Sequence, residues 1–226
     1  TDMLYGLRVN AGLALFRGDS CIIKAGRSNE NNQCGVYVDW NNSGTYYFTN
    51  FIIYGFAAST GGRGFNCGAE NAGAMHYLHN CTVFGCNQGI YIGSSNKVTI
   101  VNCASFNNTD DINGTGYVSY CATDDNDGTN AVDISPGATE ADDWNAAFTD
   151  YANGDFSVKD TSSPLYDAGT DLSAYFTTDI AGTTRSTWDI GAFEFVDEGG
   201  SSPKWNGITP AKWNGIDWSN LKWNGM

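Results

Sequence analysis

Positive charge is scarce in this sequence: 11 Lys and Arg stand against 25 Asp and Glu in 226 residues, a formal charge of −14 with an isoelectric point near 4.2. That balance opposes phosphate backbones and anionic membrane surfaces, so nucleic acid is not an expected partner. Long apolar runs are missing too. None approaches the ~20 residues that cross a bilayer as a helix, so membrane insertion is not expected either. No stretch sustains apolar residues at i, i+3, i+4 and i+7, so helices should be few and short. The chain also lacks a C-x-x-C pair, a phosphate loop, a nucleotide fingerprint and a Ser-His-Asp arrangement. Its start, Thr1-Asp2-Met3-Leu4-Tyr5, has neither the basic flank nor the hydrophobic stretch of a signal peptide. Beginning without an initiator Met, inside what reads as a first repeat, the chain is expected to be a processed or fragmentary product, or one whose first coil stacks on a partner. What is present, 41% hydrophobic and 14% aromatic residues with 28 Gly and only 16% charged, is too apolar for disorder and suits an ordered β domain.

Residues 1–125 can be written as five stacked lines. Each opens on a short apolar pair: Gly6-Leu7-Arg8-Val9, Gly35-Val36-Tyr37-Val38, Gly64-Phe65-Asn66-Cys67, Gly89-Ile90-Tyr91-Ile92 and Asp111-Ile112-Asn113. Each closes on a strand with Cys21, Phe51, Cys81, Cys103 or Cys121 in one column, preceded by Ser20, Asn50, Asn80, Asn102 and Tyr120. Alternating apolar residues in a repeat of roughly 20 to 30 residues mark a solenoid that buries its core only by stacking. The chain reads as a parallel β-helix, with equivalent residues ~4.8 Å apart in successive coils. Asn50, Asn80 and Asn102 are expected to form a turn ladder, each amide donating to the next, with sugar binding as the other reading. Cys81, Cys103 and Cys121 are expected to be small core hydrophobes, close enough for Cys81 and Cys103 to oxidise.

Past Asp125 the register is lost. Residues 126–197 read as a closing or capping segment, with one short helix at Asp142–Phe148. Its phrase from Gly154-Asp155-Phe156 through Ser163-Pro164-Leu165-Tyr166-Asp167-Ala168-Gly169-Thr170, then Asp179-Ile180-Ala181-Gly182, Arg185 and Asp189-Ile190-Gly191-Ala192-Phe193-Glu194, resembles the C-terminal segment of many right-handed parallel β-helix proteins. Proteins with that segment are mostly bacterial surface or secreted proteins and phage virion proteins, so the resemblance implies an extracellular or virion-surface setting and no particular activity. The residues themselves suggest that Arg185 is buried against Asp179 or Asp189, since a buried guanidinium needs a carboxylate; a substrate-binding Arg185 is the alternative.

After a linker at 198–203, residues 204–226 carry three copies of one pentapeptide: Lys204-Trp205-Asn206-Gly207-Ile208, Lys212-Trp213-Asn214-Gly215-Ile216 and Lys222-Trp223-Asn224-Gly225-Met226. Asn-Gly favours tight turns. Trp205, Trp213, Trp218 and Trp223 are four of the seven Trp, on a segment too short to bury them. Packing against the β-helix or sister chains, in a trimer or end-to-end assembly, would cover them; stacking on a sugar is the second reading. The repeats also resemble short C-terminal repeats of phage structural proteins.

Catalytic candidates are thin. Asp39 and Glu70 fall at nearly equivalent places in adjacent coils, where a carboxylate pair would serve glycoside hydrolysis and a solvated turn would serve as well. Asp124, Asp125 and Asp127 offer oxygen ligands for Ca²⁺, but Thr123 and Ile134 stand where an EF-hand loop carries acids, so no cofactor is expected and Ca²⁺ is the alternative. His76 and His79, three apart on one strand, point to opposite faces. The sequence therefore leads to a non-catalytic structural or surface-recognition component of a phage particle or extracellular appendage, such as a tail fibre, spike or decoration protein. Its expected partners are copies of itself, other appendage proteins or a surface glycan. A polysaccharide depolymerase of the tailspike kind and a bacterial adhesin are the alternatives.

Overall fold

The structure, a computed structural model, describes residues 4–10, 12–26, 33–38, 44–58, 61–68, 74–93, 97–134 and 139–196, together with 212–213 and 216–217. Strands dominate and helix is scarce. The first repeat holds β1 (Leu4–Val9) and β2 (Leu15–Lys24); the second holds β3 (Gln33–Val38) and β4 (Thr45–Tyr54). The third holds β5 (Arg63–Cys67), β6 (Met75–His79) and β7 (Thr82–Phe84), and the fourth β8 (Gln88–Ile92), β9 (Val98–Val101) and β10 (Ala104–Phe106). The fifth holds β11 (Asp110–Asn113), β12 (Tyr117–Ser119) and β13 (Ala122–Thr123).

All of these strands pair in parallel. One sheet runs β1-β3-β5-β8-β11, aligning Leu7, Val36, Phe65, Ile90 and Ile112. The other is organised on β4, which pairs β2 along its length, β6 with its first half and β7 with its second. From there β9 and β12 continue one arm, β10 and β13 the other. The division falls at one column: Ser20, Asn50, Asn80, Asn102 and Tyr120 all have left-handed backbone, with φ of 55°, 53°, 49°, 55° and 52°. Asn tolerates that conformation better than most side chains, which accounts for its recurrence at this corner.

The opening glycines have a different cause. A Cβ on Gly6, Gly35, Gly64 or Gly89 would collide with Ile23, Ile53, Val83 or Ser105 respectively, so glycine lets the two sheets close on each other there. Between them lies a core of Val36, Phe48, Phe51, Phe65, Leu78 and their equivalents. Cys81, Cys103 and Cys121 belong to it and are fully buried; all seven cysteines are free thiols. Burial pushes the Cys103 and Cys121 thiols well above their ordinary value, as expected of inert core residues.

The segment after 125 lies along the flank of the strands as well as beyond their end. Helix α1 (Glu140–Ala147) starts two residues earlier than the sequence suggests, because Thr139 caps it by accepting from the Asp142 N–H. It is followed by the antiparallel pair β14 (Phe148–Asp150) and β15 (Asp155–Val158). Trp144, Phe148, Phe156, Leu165 and Ile190 pack on the outward side chains Ile52, Phe84, Ala104, Phe106 and Ala122. The expected cap is thus largely a side cladding: outward columns of β4, β7, β10 and β13 are apolar and need a cover. In the tail, β16 (Lys212–Trp213) and β17 (Ile216–Asp217) form a short antiparallel pair.

Candidate functional site

The corner asparagines and the closing segment meet in one buried polar seam. Asn80, fully buried, donates from Nδ2 to the carbonyls of Asp189 at 2.7 Å and Gly191 at 3.0 Å. Asn102 donates to the Thr170 carbonyl at 2.8 Å and accepts the Thr170 N–H at 2.9 Å. Asn50 donates to the Thr178 carbonyl at 2.9 Å and to Asp19 at 3.1 Å. The expected ladder is corrected accordingly. Only Asn102 to Asn80, at 3.2 Å, is an amide-to-amide step between these three; apart from Asn50 to Asp19, their other side-chain bonds clasp the closing segment, whose backbone would otherwise be buried without partners.

Arg185 sits at the centre of that segment, 6% exposed, and its ion-pair partner is Glu194 at 3.2 Å. This corrects the expectation of Asp179 or Asp189. Both of those carboxylates are engaged by backbone: Asp189 accepts from the N–H of Asp167 and Phe195, and Asp179 from the N–H of Ala181, Thr183 and Glu194. Arg185 Nη2 also donates to Asn50 Oδ1 at 3.0 Å and to the Gly191 carbonyl at 3.1 Å, which ties the motif to the strand corner. Burial raises the Asp189 pKa to about 7, against the lowering effect of its two backbone donors.

The acidic loop divides its carboxylates. Asp124 accepts from the Asn107 N–H at 2.6 Å and from Trp144 Nε1 at 2.8 Å, so it is a structural acceptor. Asp125 is exposed. Asp127 lines an open cavity of about 250 Å³ with Ile112, Gly116, Tyr117 and Thr129, and its Oδ2 has no hydrogen-bond partner. Burial, then Asp125 and Asp110, push its pKa up to about 6. Among the described residues, no three His, Cys, Asp or Glu are grouped to hold a metal ion.

His76 and His79 lie on opposite faces. His76 is fully buried beside Tyr46 with neither ring nitrogen hydrogen-bonded; His79, 2% exposed, packs outward against Tyr175 and Phe176. Burial lowers both pKa values to about 4.

One surface feature escaped the sequence reading. Arg17, Tyr47, Tyr77, Thr99 and Tyr117 are register partners on the outward face. Tyr47 and Tyr77 stack at 4.7 Å, Arg17 lies over Tyr47 at 4.6 Å, and Tyr117 and Tyr175 are 62% and 54% exposed. The Tyr77 pKa is raised by burial and by the neighbouring Tyr47 and Tyr175. The thirty-residue spacing of Tyr47 and Tyr77, equal to that of Asn50 and Asn80, was the signal.

Asp39, Glu70, Trp205, Trp218 and Trp223 lie outside the described residues; Trp213 is in β16, its side chain likewise outside them. No family model matches the chain, and neither a curated protein nor a solved structure matches it.

Proposed function

We propose that the chain is a right-handed parallel β-helix serving as a structural or surface-recognition component of a phage particle or extracellular appendage, assembled with copies of itself through its Trp-rich tail. One observation carries this reading. The residues that resemble the closing phrase of surface and virion β-helices, Arg185, Asp189, Gly191 and Glu194, form the buried seam with Asn50 and Asn80. The motif therefore has a mechanical meaning: it fastens the flank of a stack of parallel strands at several levels, as a rod exposed to solvent and load requires. Four Trp on the following 23 residues supply apolar surface in excess of what such a tail buries.

The tyrosine column favours glycan recognition as the surface the rod presents, since an aromatic face stacks on a pyranose while hydroxyls supply hydrogen bonds. The polysaccharide depolymerase is the enzyme form of the same reading. Light scattering on the full chain beside a chain ending at Gly200 tests the assembly. A multiple of 24.3 kDa for the full chain, reduced by the truncation, is expected. Equal masses would refute assembly through the tail, and cleavage in a polysaccharide screen would replace the structural reading with the enzymatic one.

A further inference from the structure

The tyrosine column of the outward face is interrupted at one level. Tyr47, Tyr77 and Tyr117 occupy it in the second, third and fifth repeats; the fourth carries Thr99, the register partner of both Tyr77 and Tyr117. Tyr47 and Tyr77 show how neighbouring members of the column arrange themselves: their rings stack at 4.7 Å with 11° between the planes. One face of Tyr77 is thereby covered, and the other looks along the stack towards the level of Thr99. Coils repeat every ~4.8 Å, so the backbones that carry Tyr77 and Tyr117 stand ~9.6 Å apart. A six-membered ring placed midway would lie ~4.8 Å from each level, inside the 4.5–7 Å range over which aromatic rings attract a neighbouring ring. Thr99 is too short to fill that place and floors it with a hydroxyl and a methyl group.

The surroundings of this slot select its occupant. On one side the closing segment shuts it. Leu172, Phe176 and Trp188 pack on Val101, two residues beyond Thr99 on the same face, and Tyr175 packs on His79, two residues beyond Tyr77. On the other side stand Met75, 41% exposed, and the exposed Lys97. Tyr117 and Tyr175, 62% and 54% exposed, turn ring and hydroxyl to solvent. Aromatic faces above and below, with hydroxyls at the floor and rim, suit a ring that has apolar faces and a polar edge. A pyranose has both: its C–H faces stack and its hydroxyls bond at the edge. An internal residue of a linear glycan continues at opposite edges, so a slot shut on one side admits the end of a chain. The formal charge of −14 opposes an acidic sugar.

We infer that the level of Thr99 is a binding slot for one uncharged pyranose ring at the end of a glycan chain, held between Tyr77 and Tyr117. This rests on the glycan-recognition reading and gives it a place and an orientation: the ring lies across the stack and its linkage leaves past Met75 and Lys97.

Saturation-transfer NMR on the full chain, with the methyl glycosides of glucose, galactose, mannose and N-acetylglucosamine as probes, tests it. At least one probe should receive saturation from the tyrosine rings. Thr99→Tyr completes the column and fills the slot, so it should abolish that transfer without lowering the urea midpoint, whereas Thr99→Ser should keep it. Tyr117→Ala, at a position exposed enough to spare the fold, removes one stacked ring and should weaken binding roughly 2- to 12-fold. If Thr99→Tyr lowers the urea midpoint, Tyr117→Ala decides alone. Undiminished binding in these variants would overturn the slot and leave glycan recognition standing elsewhere on the surface. No transfer to any probe would overturn both. Binding seen only in the chain ending at Gly200 would assign the slot to the Trp-rich tail and overturn the inference as well.

Discussion

Replacing Asn80 should loosen the closing segment from the strands, and the size of the effect follows from two separable contributions. Asn80 holds φ at 49°, a conformation that costs an Ala roughly 1–2 kcal/mol. Its amide also donates to the carbonyls of Asp189 and Gly191 in a fully buried place; both carbonyls keep an Arg185 donor, so each bond lost costs roughly 0.5–1.5 kcal/mol. Asn80→Ala should therefore lose about 2–5 kcal/mol, a large share of the ~5–15 kcal/mol that holds a domain folded. Asn80→Gly removes the backbone penalty and keeps the lost bonds, so it should be about 1–2 kcal/mol less harmful. Asn80→Asp keeps shape and turn preference but sets a carboxylate oxygen against two carbonyls, and should be at least as harmful as Ala. Urea unfolding of the four chains gives these differences directly. If Ala and Asp both stay within about 1 kcal/mol of the parent, the seam is not what holds the segment.

Other consequences can be checked in the same way. Arg185→Met leaves Glu194 buried without its cation and should cost about 3–5 kcal/mol; adding Glu194→Gln should recover part of that in a double-mutant cycle. Gly35→Ala should cost about 1–3 kcal/mol by thermal unfolding, since its Cβ meets Ile53 and the Gly64 carbonyl, and the same change made in an Ile53→Ala background should cost less. His76 is held neutral, with a pKa lowered to about 4, so its contribution is fully present above the unfolded value near 6.5 and is lost as pH falls towards 4. Going from pH 7 to 4.5, the parent should lose about 2 kcal/mol more than His76→Leu in urea titrations. Asp111 and Asp189, raised to about 7, act in the opposite sense: their contribution is present at low pH and lost as pH rises through 7. Comparison with His76→Leu isolates the histidine from them.

The stack of repeats was legible because parallel pairing writes structure as period. Gly6, Gly35, Gly64 and Gly89 recur where two sheets touch, and Asn50, Asn80 and Asn102 recur where the chain turns left-handed. What these asparagines hold was not legible. Their partners lie 68 to 135 residues away in an aperiodic segment, and no local rule selects them. Arg185 shows the same limit: three carboxylates lie within nine residues, and the choice of Glu194 depends on Asp179 and Asp189 being occupied by backbone N–H groups, which only the folded loop reveals. The tyrosine column obeys the same register, but Arg17 and Thr99 interrupt its residue type, so no single repeated residue marks it in the sequence.

The most direct test of self-assembly through the tail is tryptophan accessibility as a function of concentration. Trp144 and Trp188 are each 7% exposed in the body, so acrylamide quenching reports chiefly on Trp outside it, the tail holding four of the seven. The account predicts weak quenching at high concentration that rises on dilution as copies separate, and a loss of that dependence in the chain ending at Gly200. Quenching that is the same at every concentration would contradict it.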